Sequence, residues 1–269
     1  MRRRDAAAGC RAIGSRLNPL DVNSTLHLRP WRWTLRARLR WATLLHRGDD
    51  DGLARVVEHI IQSHRIQTSD LAGARKGRDR FDVLSLAAEK TGRLPGTVLE
   101  FGVFQGITLR HLAKAIGPNR RVTGFDTFEG LPDDWGTLLP KGTFATGVPS
   151  LEGCPNVDLQ VGRIERTLPA FLAKSRQPVS MVHIDVPYYE SNVFILEHVL
   201  PHMAAHSIVV FDEYYGYPSY EDHEFKAWSE IRERLNVVAT PVAYSSRSAA
   251  FELVDNPLGE SGDAGHVVS

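Results

Sequence analysis

Residues 97–106 read TVLEFGVFQG and residues 121–126 read RVTGFD. The first stretch opens with apolar and β-branched side chains, passes Gly102, and reaches Gly106 where a helical pattern begins (ITLRHLAKAI, 107–116). A short apolar run that ends in glycines and feeds a helix predicts a strand–turn–helix unit. The second stretch starts the next strand, after a Gly117-Pro118-Asn119 stop. Outward from this unit the rhythm repeats. VDLQVG (157–162) predicts a third strand, followed by a helix from Glu165 to Lys174. VSMVHID (179–185) predicts a fourth, with a helix from Glu190 to His202. SIVVFDE (207–213) predicts a fifth, with a helix from Asp222 to Leu235. VVATPVAY (237–244) and AAFELV (249–254) are joined by a turn too short for a crossover and must pair antiparallel. Strict alternation of this kind predicts an α/β fold with a parallel sheet covered on both faces.

The rest of the chain divides around this core, taken as residues 96–255. Upstream, Asp49-Asp50-Asp51 supplies an acidic first turn to a helix carrying Leu53, Val56, Val57, Ile60 and Ile61. A second helix is expected from Asp79 to Lys90, so residues 51–95 form a helical cap. Residues 1–50 carry 11 Arg, no Lys and 4 Asp, a charge of +7, and the remaining 21 basic and 28 acidic residues give −7. The net charge of zero therefore hides a basic arm ahead of an acidic body. From Trp31 the arm has the pattern of an amphipathic basic helix, suited to packing on the body or to contact between copies in a homo-oligomer. The tail 256–269 bears Gly and Ser and is expected to be disordered.

Composition excludes several classes. An apolar content of 42% with 24% charged residues rules out a disordered or collagenous chain, and two cysteines are too few for a disulfide framework. The simplest compartment is a reducing cytoplasm. No run of 18 apolar residues is present, so no membrane-spanning helix is expected. The acidic body argues against a nucleic-acid partner.

Ligands of an open parallel sheet sit beyond the carboxyl ends of its strands. After the first core strand stand Glu100, Gly102 and Gly106, a turn that lets a ligand approach the backbone but differs from the dinucleotide pattern G-x-G-x-x-G. That difference argues against a nicotinamide dehydrogenase. Asp126 ends the second strand twenty residues past Gly106, where a carboxylate can accept from a ribose diol. Asp185 ends the fourth strand, and Asp212 and Glu213 end the fifth. Three carboxylates at neighbouring strand ends repel one another unless a cation or proton is shared, and a hard divalent ion such as Mg²⁺ would satisfy them. Six of the seven tyrosines (Tyr188, Tyr189, Tyr214, Tyr215, Tyr217 and Tyr220) follow these ends and suit an aromatic wall for a small-molecule substrate. His183, inside a strand, reads as a packed residue, and His223, beside the tyrosines, as a polar contact. Residues 132–156 hold no clear element but contain Trp135, Lys141 and Phe144, which suits a lid.

The strings LEFGVFQG (99–106), GFDTFEGLPDDW (124–135), KGTFATG (141–147), HIDVPYYES (183–191) and VVFDEYYGYP (209–218) together resemble class I S-adenosylmethionine-dependent methyltransferases, and more closely the macrocin O-methyltransferase family. The resemblance runs from about residue 80 to 254. It implies a Rossmann-like, seven-stranded, mostly parallel sheet with an antiparallel last strand. It implies O-methylation of a hydroxyl on a sugar or related natural product. Carried over by position, Glu100, Gly102 and Gly106 would shape the methionine side of the S-adenosylmethionine site and Asp126 would hold the ribose. Asp185, Asp212 and Glu213 would bind Mg²⁺. One departure stands out. Relatives read IDxDLYxST, whose second Asp is the proposed general base, and this chain has Pro187 there and Asn192 in place of the usual Thr. Asp185, Tyr188 and His223 are then the candidates for catalysis. Two alternatives stay open: an acceptor nitrogen, or a protein that binds the cofactor as a non-catalytic scaffold.

Overall fold

A computed structural model describes residues 50–92, 94–134, 139–217 and 219–259. The basic arm, the homo-oligomer surface proposed for it, Trp135 and residues 260–269 lie outside the described residues. Among those described, one eight-stranded sheet runs in the order β1-β7-β8-β6-β5-β2-β3-β4. The strands are β1 (Arg75–Lys76), β2 (Thr97–Phe101), β3 (Val122–Asp126), β4 (Val157–Val161), β5 (Val179–Ile184), β6 (Ile208–Phe211), β7 (Val238–Tyr244) and β8 (Ala249–Asp255). Every pairing is parallel except those of β8, which runs antiparallel to both β6 and β7. The expected seven strands are all present within a residue or two at most ends. The eighth, β1, is a two-residue edge strand beside β7, too short and too polar to show a pattern.

Helices cover both faces, as the unbroken burial of β2, β5 and β6 demands. On one face, α1 (Asp50–Thr68), α4 (Ile164–Leu172), α5 (Tyr189–Val199) and α6 (Glu224–Leu235) pack through Ile66, Leu168, Ile195, Leu196, Trp228 and Ile231 against Leu99, Phe101, Val182 and Phe211. On the other, α2 (Arg80–Lys90) and α3 (Ile107–Ile116) set Val83, Leu84, Ala87, Leu109 and Leu112 against Val98, Met181 and Val210. The cap helices are thus layers of the same core. Asp79 caps α2 by accepting from the Asp82 amide at 3.0 Å. The expected disorder does not extend to the first tail residue: Asn256 is buried, and its Nδ2 donates to the carbonyls of Leu200 and Met203 at 2.8 and 2.6 Å. No described helix is long and apolar enough to cross a membrane.

The strand order reverses between β2 and β5. From β2 the chain proceeds to β3 and β4 on one side, and from β5 to β6 on the other, so a crevice opens at their carboxyl ends. Gly102 sits at its floor with φ +86°, and a Cβ there would lie 2.0 Å from the Asp185 carbonyl oxygen. Only glycine permits that approach of two strand ends. Gly102→Ala is therefore expected to cost more than about 3 kcal/mol. Gly153→Ala, at φ +80° with open space around it, is expected to cost about 1–2 kcal/mol. Urea unfolding of the two variants checks the difference.

Candidate active site

The turn after β2 is pinned by the carboxylate that ends β3. Asp126 Oδ2 accepts from the amides of Val103 and Phe104, both at 2.8 Å, and Oδ1 accepts from the Phe128 amide at 2.8 Å. A carboxylate has about four lone-pair sites, so one remains for a ligand hydroxyl. Asp126 shapes the turn before it can hold anything. The turn ends at Gly106, the left-handed N-cap of α3 with φ +71°, which has no side chain to cap the helix. The first amides of α3 therefore point at the crevice with the positive end of the helix dipole behind them.

The segment expected to be a lid folds over this turn. Thr146 donates its amide to the Phe128 carbonyl at 3.0 Å, and Leu131 and Thr143 close a smaller loop at 2.8 Å. Phe144 meets Phe104 edge-on at 5.7 Å, and Pro149 stands against Gly106. Arg110 Nη1 donates to the Ser150 carbonyl, and Tyr188 donates its hydroxyl to the Asp133 carbonyl at 2.8 Å. Phe104, Ile107, Phe144 and Val148 are all exposed, with Ile107 55% and Phe144 51% open. Exposed large apolar side chains gathered on a turn and its lid mark a binding surface rather than a core.

Beneath the turn, on the α2/α3 face, runs a chain of buried polar groups. Glu100 is fully buried and has no open face. One oxygen accepts from Thr108 Oγ1 at 3.1 Å, and the other meets His183 Nδ1 at 3.0 Å. Glu100 therefore steadies the first turn of α3 from below rather than lining the crevice. The other ring nitrogen of His183 faces Asp212 Oδ1 at 3.7 Å, an ion-pair distance. Burial opposes an imidazolium here, but the carboxylates of Asp212 and Glu100 outweigh it and push the pKa of His183 up to about 10. Arg80, the first residue of α2, completes the chain: its Nη1 lies 2.8 Å from Asp212 Oδ2 and 3.7 Å from Asp185 Oδ2.

The expected Mg²⁺ site does not assemble. Among the described residues no group of three or more His, Cys, Asp or Glu is placed to hold a metal ion. The physical reason lies in the partners. Asp212 is buried between Arg80 and His183, and Glu213 turns to Arg247 at 2.7 Å. Asp185 and Glu213 keep part of their surface, with 34% and 29% of their side chains exposed, but Asp212 between them is closed off, and the three do not converge on one point. Burial and the neighbouring Asp212 raise the pKa of Asp185 well above the ordinary carboxylate range.

The tyrosine wall is also corrected. Tyr214, Tyr215, Tyr217 and Tyr220 are buried, and Tyr214 packs against Phe211, Phe225 and Phe251. Only Tyr188 and Tyr189 keep part of their surface. Burial raises the Tyr188 hydroxyl above its ordinary range, so it serves as the donor that ties down the lid and not as a base. His223 occupies the N-cap position of α6 without capping it through its side chain, stacks on Tyr217, and has its pKa lowered by burial. Sequence reasoning missed Arg80, Arg247 and Glu224. Glu224 is buried, accepts from the Glu213 amide at 2.9 Å, and has its pKa raised by burial. Arg80 left one signal: a cation in the first turn of a helix opposes the dipole, so it must answer a partner elsewhere. A groove of about 690 Å³ bordered by Asp70, Tyr214, Phe225, Arg232, Val238 and Pro241 contains none of Glu100, Asp126, Asp185, Asp212 and Glu213.

The sheet order and the crevice at its switch point are those of the Rossmann-like fold found in methyltransferases. Residues 99–214 match the sequence profile of a methyltransferase-domain family. Among solved structures, the chain resembles CalS11, a calicheamicin methyltransferase, at 24% identity over 80% of this chain and 91% of that one, with a TM-score of 0.52. It also resembles the O-methyltransferase NovP, at 18% identity over 65% of this chain and 80% of that one, with a TM-score of 0.50. These likenesses establish the Rossmann-like methyltransferase fold. No curated protein sequence matches the chain.

The raised pKa of His183 has a consequence for stability. The ring gains its carboxylate partners on folding, so its contribution is fully present below the unfolded pKa of 6.5 and is lost as pH rises through about 10. Unfolding free energy measured by urea titration is expected to fall across that window in the wild type. The fall should be absent in His183→Gln, whose stability is lower throughout.

Proposed function

We propose that the protein is an S-adenosylmethionine-dependent O-methyltransferase of a hydroxyl on a sugar or natural-product small molecule, with the cytoplasm as its compartment. The observation that carries this reading is the Asp126-pinned turn at the strand-order switch, with the open carboxyl of Asp185 beside it. Bound S-adenosylmethionine would supply a methyl group on an electrophilic sulfonium. The free amides at the start of α3 suit the carboxylate of its amino-acid end. The remaining lone pair of Asp126 suits a ribose hydroxyl. Gly102 and Gly106 keep the backbone low beneath it, and Phe104 and Phe144 offer apolar cover that excludes water.

Methyl transfer to oxygen is an in-line displacement governed by positioning, and the acceptor hydroxyl must lose its proton. Pro187 cannot take that proton. Asp185 is the carboxylate placed for it, since it stands at the end of β5, two residues before Pro187, with 34% of its side chain exposed. Tyr188 holds the lid in place, and neutral His223 is the second group able to accept a proton.

Calorimetric titration with S-adenosylhomocysteine tests the cofactor half of this reading. The wild type is expected to bind it and Asp126→Ala to lose that binding, since three amides of the turn lose their acceptor. Transfer of labelled methyl to a panel of hydroxyl-bearing sugars and aglycones tests the rest. Asp185→Asn is expected to lower kcat by about 10²–10⁴-fold while S-adenosylhomocysteine affinity stays unchanged. Wild-type turnover in Asp185→Asn removes Asp185 from the role of base. Tight binding without turnover on any acceptor favours the second reading, a cofactor-binding scaffold, for which Pro187 is the supporting residue.

A further inference from the structure

We infer that the guanidinium of Arg80, and not a divalent cation, is the counter-ion of the carboxylates at the ends of β5 and β6. The argument starts from Asp212, whose side chain is 3% exposed. Its Oδ2 is held by Arg80 Nη1 at 2.8 Å, and its Oδ1 is turned inward toward His183 Nε2 at 3.7 Å. Neither oxygen is open to an ion arriving from the crevice. Glu213, the next carboxylate along, is engaged by Arg247 at 2.7 Å and its own amide by Glu224. A hard divalent ion would need several oxygens in near-octahedral order, and with Asp212 closed off the free oxygens of Asp185 and Glu213 belong to no group of three placed to hold one among the described residues. It would also have to stand within reach of the Arg80 guanidinium, which already lies 3.7 Å from Asp185.

The arginine is held in that place by the fold. Asp79 caps α2 immediately before it, and Val83, Leu84 and Ala87 bury the following turns in the core shared with α3, β6, β7 and β8. Asp185 and Asp212 come from adjacent strands, so one planar group at the mouth of α2 spans both. Arg80 is in this sense a positioning residue. It fixes the rotamer of Asp212, partly neutralises Asp185, and leaves the latter's outer oxygen toward the crevice. The role goes beyond the methyl-transfer reading and does not depend on the acceptor.

Titration of the full chain with Mn²⁺, followed by the free-ion paramagnetic resonance signal, tests the inference. The wild type is expected to show no saturable Mn²⁺ binding, and Arg80→Lys to behave the same way. Arg80→Ala is expected to gain saturable binding at least about tenfold tighter than any seen in the wild type, and Arg80→Ala with Asp212→Asn to lose it again. Saturable binding to the wild type that Asp212→Asn removes overturns the inference. A folded Arg80→Ala that gains no binding overturns it too, since Arg80 would then not be what occupies the place. Circular dichroism checks folding. If Arg80→Ala unfolds, Arg80→Gln takes its place, and the wild-type arm alone can still refute the inference. S-adenosylhomocysteine titration of the same samples separates the two questions: loss of cofactor binding counts against the methyltransferase reading and leaves the Mn²⁺ result standing.

Discussion

The contact between Glu100 and His183 is the constraint on which the rest of the site depends. The two residues are in register on β2 and β5, the strands between which the sheet order reverses. Their side chains meet at 3.0 Å with no exposure to water. From that pair the chain of buried polar groups extends in both directions. Through Thr108 it reaches the first turn of α3, and through Asp212 it reaches Arg80 at the first turn of α2. Two helices on one face are thereby oriented by charges carried on three adjacent strands. Removing one member of such a chain leaves its neighbours buried and uncompensated, which is more destabilising than never having built the chain. The crevice is therefore shaped from below, by groups that touch no ligand, as much as by those that face it.

The strand ends were legible in the sequence because their signals are local. Gly102, Gly106 and Asp126 sit within thirty residues of one another, and the turn they build is closed by backbone amides that any sequence supplies. What was not legible came from residues distant in the chain. The carboxylates of Asp185, Asp212 and Glu213 announce themselves as a set, but the arginines that answer them arrive from α2 and from the turn between β7 and β8. A reading that sees only the acids must supply a cation from outside. The tyrosines misled for a similar reason. Four of them follow β6 closely, and the loop that carries them folds inward against Phe225 and Phe251, elements that lie beyond it in sequence. Tyrosine alone cannot tell a wet wall from a core whose hydroxyls find carbonyls, as that of Tyr215 finds the Ser245 carbonyl.

The substitution at Pro187 can be followed into the structure. A proline before the helix removes an amide as well as any carboxylate, and the turn 186–192 needs another group to close it. Asn192 supplies that group. Its Nδ2 donates to the carbonyls of Val186 and Tyr188 at 3.0 and 2.9 Å, and its own amide donates to Tyr188 as the helix begins. The two departures from the family pattern are in this sense one change: the turn keeps a shape while giving up an acid. That shape leaves Asp185 two residues before the proline with an open oxygen, and Tyr188 one residue after it with its hydroxyl on the lid. A partly exposed carboxylate and a lid tether thus flank the substituted position. On the methyl-transfer reading proposed above, the role that Pro187 cannot fill falls to Asp185 on the same short segment.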